Sequence, residues 1–278
     1  MPCTATPSRK PDVVYRLSVH QSLLHPRSPV ETVDLARDAG WDSVGLHIGA
    51  VEEAEPWWSG GAGQRLLAAT IDRLLETRVT VLDVGRVVLR APDESQAVRD
   101  VHHRVLDFGA RLGAQFVTVR FAGADGAAQL STAERATRFA AFADQARPYR
   151  MRPLLSSIPV DRPDLFAEAA TVVQLCGGGL VLDVPVHSSS EDLVSEAIAE
   201  LWEYIGYVRV DARMLELDGE EAAGQLAVLP PHVPVVIGGD DGLGLLAEDP
   251  LRRLERLRVL VDHMLEHPRA RAFRERDA

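Results

Sequence analysis

Residues 13–48, VVYRLSVHQSLLHPRSPVETVDLARDAGWDSVGLHI, hold one complete structural unit and the start of the next. Val13–Val19 is a short apolar run, too short for a helix and rich in β-branched residues. Ser28-Pro29-Val30-Glu31 is a capping box with Pro at the first helical position. Apolar residues at helical spacing follow, Gly40 stops the helix, and Ser43–Ile48 opens another apolar run. The unit is therefore strand, loop, amphipathic helix, break.

The same unit recurs about every 30 residues along the chain. The remaining strand-like runs are Thr80–Gly85, Phe116–Phe121, Pro153–Ser157, Leu180–Val184, Tyr207–Val210 and Pro234–Ile237. They are nearly continuous in apolar character, as parallel strands covered on both faces must be. Ser131-Thr132-Ala133-Glu134 is a second capping box, Gly113 and Gly177 end helices, and Asp249-Pro250 opens the last one. The helix after the seventh strand is expected around Glu220–Leu229. Eight such units without a linker predict a single (β/α)8 TIM barrel over residues 13–278, preceded by a disordered tail over 1–12. A doubly wound sheet is the alternative. However, Gly177-Gly178-Gly179 precedes a strand, so it cannot cradle a pyrophosphate at a helix start and reads as a turn on the bottom face.

Composition narrows the chemistry. The 278 residues carry 30 Lys and Arg against 41 Asp and Glu, a net charge of -11. That balance opposes a phosphate-tracking nucleic-acid binder. Lys10 is the only lysine, which removes Schiff-base, pyridoxal-phosphate and Walker-type chemistry. Cys3 and Cys176 have no near partner, against a zinc ribbon, an iron–sulfur site or a disulfide scaffold. No leader-like or membrane-length apolar run is present, so the expected location is cytoplasmic.

In a TIM barrel the chemistry sits at the C-terminal ends of the strands. The polar residues there are His20 and Gln21, His47, Asp83 and Arg86, Thr118 and Arg120, Ser156 and Ser157, Asp183 and His187, Arg209 and Asp211, and Asp240 and Asp241. Charges inside apolar strands, such as Arg120 and Asp183, persist only if paired or facing a pocket. An Arg–Asp ion-pair layer closing the barrel top is the plain structural alternative to a site. The loop Gly238-Gly239-Asp240-Asp241-Gly242 carries two carboxylates that oppose an anion, and reads as a solvated turn or a hydroxyl-binding loop. Trp57 and Trp58 follow strand two. They form a pocket wall or lid, or else pack on a helix or a second copy of the chain in a homodimer.

YRLSVHQSLL with PVETVDLARDAGWDSVGL, VTVLDVGRVVL, LGAQFVTV, LVLDVPVH and VRVDAR resembles the sugar phosphate isomerase/epimerase family, the xylose-isomerase-like TIM barrels. The resemblance spans about Val13 to Leu265 and implies a barrel with a divalent metal at its mouth. The implied ligands are a Glu on strand five, an Asp on strand six, a His or Gln on strand seven and a Glu on strand eight. These positions fall on Ser156, Asp183, Val208 and Gly238, so the Asp alone is kept; His187 sits one residue beyond the family's Asp-x-x-His spacing. Ser, Val and Gly cannot replace carboxylate and imidazole at such an ion.

Three functions remain open. The first is an enzyme without metal or other cofactor, acting on a small polyoxygenated substrate by isomerisation, dehydration or cyclisation next to a carbonyl. His20, His47 and His187 would shuttle protons, Asp183 would act as base or orient one of them, and Arg120 would steady an enolate-like oxygen. Gln21, Trp57, Trp58, Arg86, Ser156, Arg209, Asp211 and Asp240 would line the substrate pocket. The lysine-poor, Arg-, Ala- and Leu-rich composition suggests a high-GC genome and a setting in secondary metabolism. The second is a non-catalytic barrel that binds a ligand or partner. The third is a metal enzyme whose site is rebuilt from His47, Asp183, His187 and Asp240.

Overall fold

The structure is a computed structural model describing residues 16–48, 60–89, 96–121, 130–159, 163–184, 191–217, 226, 229–230, 232–239 and 249–266. Eight strands are described: β1 Leu17–His20, β2 Ser43–His47, β3 Thr80–Leu89, β4 Phe116–Phe121, β5 Arg152–Pro159, β6 Gly179–Val184, β7 Ile205–Asp211 and β8 Val235–Gly238. Every neighbouring pair is parallel, and β1 pairs with β8, so the sheet closes on itself in the order β1 to β8. The helices are α1 Pro29–Asp38, α2 Gly60–Thr77, α3 Gln96–Arg111, α4 Thr132–Ala146, α5 Pro163–Cys176, α6 Glu191–Leu201, α7 Ala212–Leu217 and α8 Pro250–Glu266. This is the (β/α)8 barrel that the alternating pattern predicts.

Local chemistry sets the boundaries. Ser28 Oγ accepts from the Glu31 N–H while the Glu31 carboxylate accepts from the Ser28 N–H, so both halves of the capping box at α1 are made. Ser131 and Glu134 do the same at α4. Gly40, Gly113 and Gly177 end α1, α3 and α5 with φ of 78°, 72° and 72°, a region costly for a residue with a Cβ. Gly177 to Gly179 lead into the N-terminal end of β6, away from the strand tops.

Two expected elements fall only partly within the described residues. The first strand runs Leu17–His20, with residues 13–15 outside those described. A short helix not expected from the sequence, α7, starts directly after the seventh strand, because Asp211 Oδ1 accepts the Arg213 N–H at 2.8 Å and opens the turn, while the helix expected around 220–229 lies almost wholly outside the described residues. Within the expected span 220–229, Leu226 and Leu229 belong to a turn closed by a 3.0 Å backbone hydrogen bond.

Alternation along the strands separates two apolar layers. Val19, Val44, Val117, Val119, Val208 and Val210 face outward into the main core, against helix residues such as Val33, Leu67, Phe139 and Leu257. Leu82, Leu154, Val181, Tyr207 and Val236 face inward and fill the lower barrel. A register shift between β2 and β3 pairs Val44 with Val81 and Gly45 with Asp83, so Leu82 and Asp83 both lie on the interior side. The next inward positions toward the strand tops are polar or glycine, and they form the floor of the candidate site.

Candidate active site at the barrel mouth

Strand parity turns His20, Gly45, Asp83, Gly85, Thr118, Ser156, Asp183, Arg209 and Gly238 toward the barrel interior in the upper half of the strands. Three glycines among them leave room for larger neighbours. A Cβ on Gly45 would strike Asp83 Oδ1 and His20, one on Gly85 would strike Thr118 Oγ1, and one on Gly238 would come 3.1 Å from Arg209 Cδ.

The strongest interaction among these residues joins β6 to β7. Arg209 Nε donates to Asp183 Oδ1 at 2.6 Å and Nη2 donates to Asp183 Oδ2 at 2.9 Å, a bidentate ion pair between register partners. Burial alone would lower the Arg209 pKa, but the Asp183 charge, with Tyr207 and Asp83 behind it, holds it above its ordinary value. Asp183 therefore pairs with Arg209 and not with Arg120, which sits half-buried at the end of β4 beside Val88.

Below this pair lies a second carboxylate. Asp83 has no exposed surface. The Tyr207 hydroxyl donates to its Oδ2 at 3.2 Å, and its Oδ1 has no hydrogen-bond partner among the described residues. Burial pushes its pKa up to about 7, against the pull of Arg209 and the Tyr207 hydrogen bond. Burial likewise drives Tyr207 well above the usual phenol range, with the neighbouring Asp83 charge adding to it. The sequence shows Asp83 as an acid in an apolar run; its partnership with Tyr207, 124 residues away, leaves no local signal.

The two histidines stand together at the ends of β1 and β2, with His20 and the Arg209 stem on either side of Gly238. His20 and His47 have ring centroids 4.6 Å apart at 74°, edge to face. His20 Nδ1 lies 3.2 Å from the Ser22 N–H and 2.8 Å from Ser22 Oγ. A backbone N–H can only donate, so Nδ1 accepts, and the neutral ring carries its proton on Nε2. Ser22 Oγ in turn accepts from the Gly239 N–H at 3.4 Å, linking the β8 terminus to the β1 histidine. His20 is 3% exposed, whereas His47 is half-buried, so His47 is the ring in closer reach of the mouth.

Other expected site residues are committed to the scaffold. Gln21 donates from Nε2 to Arg27 O and accepts the His47 N–H on Oε1, both at 2.9 Å, which ties the β1 loop to the end of β2. Ser156 donates its hydroxyl to Val119 O at 3.1 Å. Asp211 caps α7. Arg86 is placed in β3 by its backbone alone, and His187, Trp57, Trp58, Asp240 and Asp241 lie outside the described residues.

The implied metal ligand set does not fit these side chains. Both Asp183 oxygens are held by Arg209, Ser156 offers no carboxylate, and Gly238 offers no side chain. The placement of the strand-seven ligand on Val208 is corrected: Val208 faces the helices, and the inward residue beside Asp183 is Arg209. Among the described residues, no group of three or more His, Cys, Asp or Glu is arranged to hold a metal ion. No described helix is long and apolar enough to cross a membrane.

No family model and no curated protein matches the chain. Solved structures do. An L-ribulose 3-epimerase superposes with a TM-score of 0.68 at 15% identity, over 95% of this chain and 98% of that one. An IOLI protein described with a bound zinc atom gives 0.67 at 14% identity, over 91% and 100%. A xylose isomerase domain protein from Alicyclobacillus acidocaldarius gives 0.63 at 18% identity, over 93% and 100%. At these identities the likeness is one of fold, and the fold is that of the xylose isomerase-like TIM barrels.

Proposed function

We propose that this chain is an enzyme that moves a proton next to a carbonyl on a small polyoxygenated molecule, and does so without a resident divalent ion. The carrying observation is the Arg209–Asp183 clamp, which occupies the one kept ligand of the fold's metal site. Sugar epimerases among the structural neighbours support a sugar-like substrate. Isomerisation, dehydration and cyclisation all begin with the same abstraction of a C–H proton, and the polar floor serves any of them. His47 is the group placed to exchange a proton with substrate, and His20 stands behind it as its edge-to-face support. Asp183 holds the guanidinium in place. A cytoplasmic, homodimeric protein in secondary metabolism remains the setting we infer from the sequence.

The test is hydrogen exchange. The purified protein, treated with EDTA, is incubated with a panel of aldoses and ketoses in D2O and followed by NMR. Deuterium incorporation at the carbon beside the carbonyl is expected in EDTA, with loss in His47→Gln and no stoichiometric metal by elemental analysis. Incorporation that requires added Mn2+, Zn2+ or Mg2+ overturns the metal-free reading. Absence of exchange across the panel, with or without metal, favours a binding barrel instead.

A further inference from the structure

A guanidinium fork has more N–H groups than one carboxylate can engage. Asp183 takes the side of the Arg209 fork made by Nε and Nη2. The opposite edge, formed by Nη1 and the second N–H of Nη2, meets no acceptor among the described residues, and 22% of the side chain remains exposed. The stem that aims this fork lies across Gly238, with Cδ and Cγ at 3.1 and 3.3 Å from where a Cβ would stand. A side chain on β8 would therefore press on the Arg209 stem, which would have to give by a few tenths of an ångström.

We propose that Arg209 has taken over the role of the ion: its open edge grips the two neighbouring oxygens of a neutral α-hydroxy carbonyl substrate. This rests on the functional reading above and names its electrophile. Two parallel N–H groups in a plane match two coplanar oxygens, which is the geometry of a cis-enediolate. The step balances within the substrate. His47 takes the proton from the hydroxyl-bearing carbon, the C–H electron pair becomes the C=C bond, and the carbonyl oxygen becomes an enolate oxygen beside Arg209. Return of the proton to the former carbonyl carbon, with the hydroxyl proton passing to the enolate oxygen so that the second oxygen becomes the new carbonyl, gives the isomer; its return to the other face of the original carbon, with the carbonyl re-formed, gives the epimer. A free carboxylate is a poorer ligand here, because Asp183 already balances the guanidinium charge and Asp83 lies beneath it.

The probe is glycolohydroxamate, neutral at pH 7 and bearing two adjacent oxygens, titrated calorimetrically into the full chain in EDTA. Saturable binding to the wild type is expected. Arg209→Lys, which keeps the charge but loses the planar fork, should weaken it about tenfold or more. Asp183→Asn/Arg209→Gln, which removes the buried pair together, should abolish it while circular dichroism and Tm confirm a folded barrel. Equal binding by folded Arg209→Lys overturns the role of Arg209 and leaves the metal-free reading standing. Binding by the wild type only after Mn2+ or Zn2+ is added overturns both. No binding by the wild type under either condition overturns the grip proposed for Arg209.

Discussion

Asp83 shows what one buried carboxylate does to a barrel floor. Its folded pKa is about 7 against 3.8 for an ordinary aspartate, because burial penalises the charge more than Arg209 and Tyr207 relieve it. The folded state therefore binds more protons than the unfolded state between those values, so this group's contribution to stability is complete below 3.8 and is lost as pH rises to 7. The loss is on the order of 4 kcal/mol across the whole window. Asp83→Asn keeps the shape and the acceptor for Tyr207 but cannot ionise. Its stability relative to wild type should rise by roughly 3 kcal/mol between pH 5 and pH 8, measured by urea unfolding at both. A difference that stays flat with pH would show that Asp83 is ionised throughout. An acid inside VTVLDVG is visible in the sequence as an anomaly. Its lone Oδ1, the glycine at 45 that makes space for it and the tyrosine beneath it are set by strands that meet only in the closed barrel, so no local pattern announces them.

Elements were legible where a side chain acts on its own backbone. Ser28-Pro29-Val30-Glu31 specifies the start of α1 through bonds that span three residues, and the structure makes each of them. Ser28→Ala should lower stability by about 1 kcal/mol, read as a drop in the urea midpoint at unchanged m-value. No change would mean that packing of Val33 and Ala36 alone fixes the helix start. Strand positions were legible for a related reason: β4 is found where its apolar run lies, Phe116–Phe121, because both of its faces are covered. The same double coverage hides which residues face in. In YVRVD the apolar and polar residues alternate, yet the family resemblance puts the ligand position on Val208, and it is Arg209 that turns inward. The facing depends on register with β6, through Asp183, and register is a property of two strands. The short helix α7 carries little signal of its own, because Asp211, which caps it, reads equally as a polar residue at a strand top.

At the scale of the whole molecule, the barrel stores two solutions to one problem, a positive centre at its mouth. A divalent ion needs several donors converging from different strands, whereas a guanidinium arrives on one strand and needs one carboxylate and an empty neighbour. Here β6 supplies the carboxylate as Asp183 and β8 supplies the emptiness as Gly238. The surrounding strands keep the closed order that turns Ser156, Asp183, Arg209 and Gly238 from four successive strands toward the barrel interior. The exchange should then be reversible by side chains alone. Ser156→Glu, Arg209→His and Gly238→Glu together surround Asp183 with the donor types that the family resemblance implies, and free its oxygens. The triple variant should retain a stoichiometric Mn2+ or Zn2+ through desalting, as measured by elemental analysis, while the wild type retains none. Gly238→Glu alone should bind no ion, because Asp183 stays clamped by Arg209. A folded triple variant that holds no metal would mean that Arg209 does not stand where the ion once did, and that the ligand positions were lost through a change in backbone geometry, with the arginine filling a space already deformed.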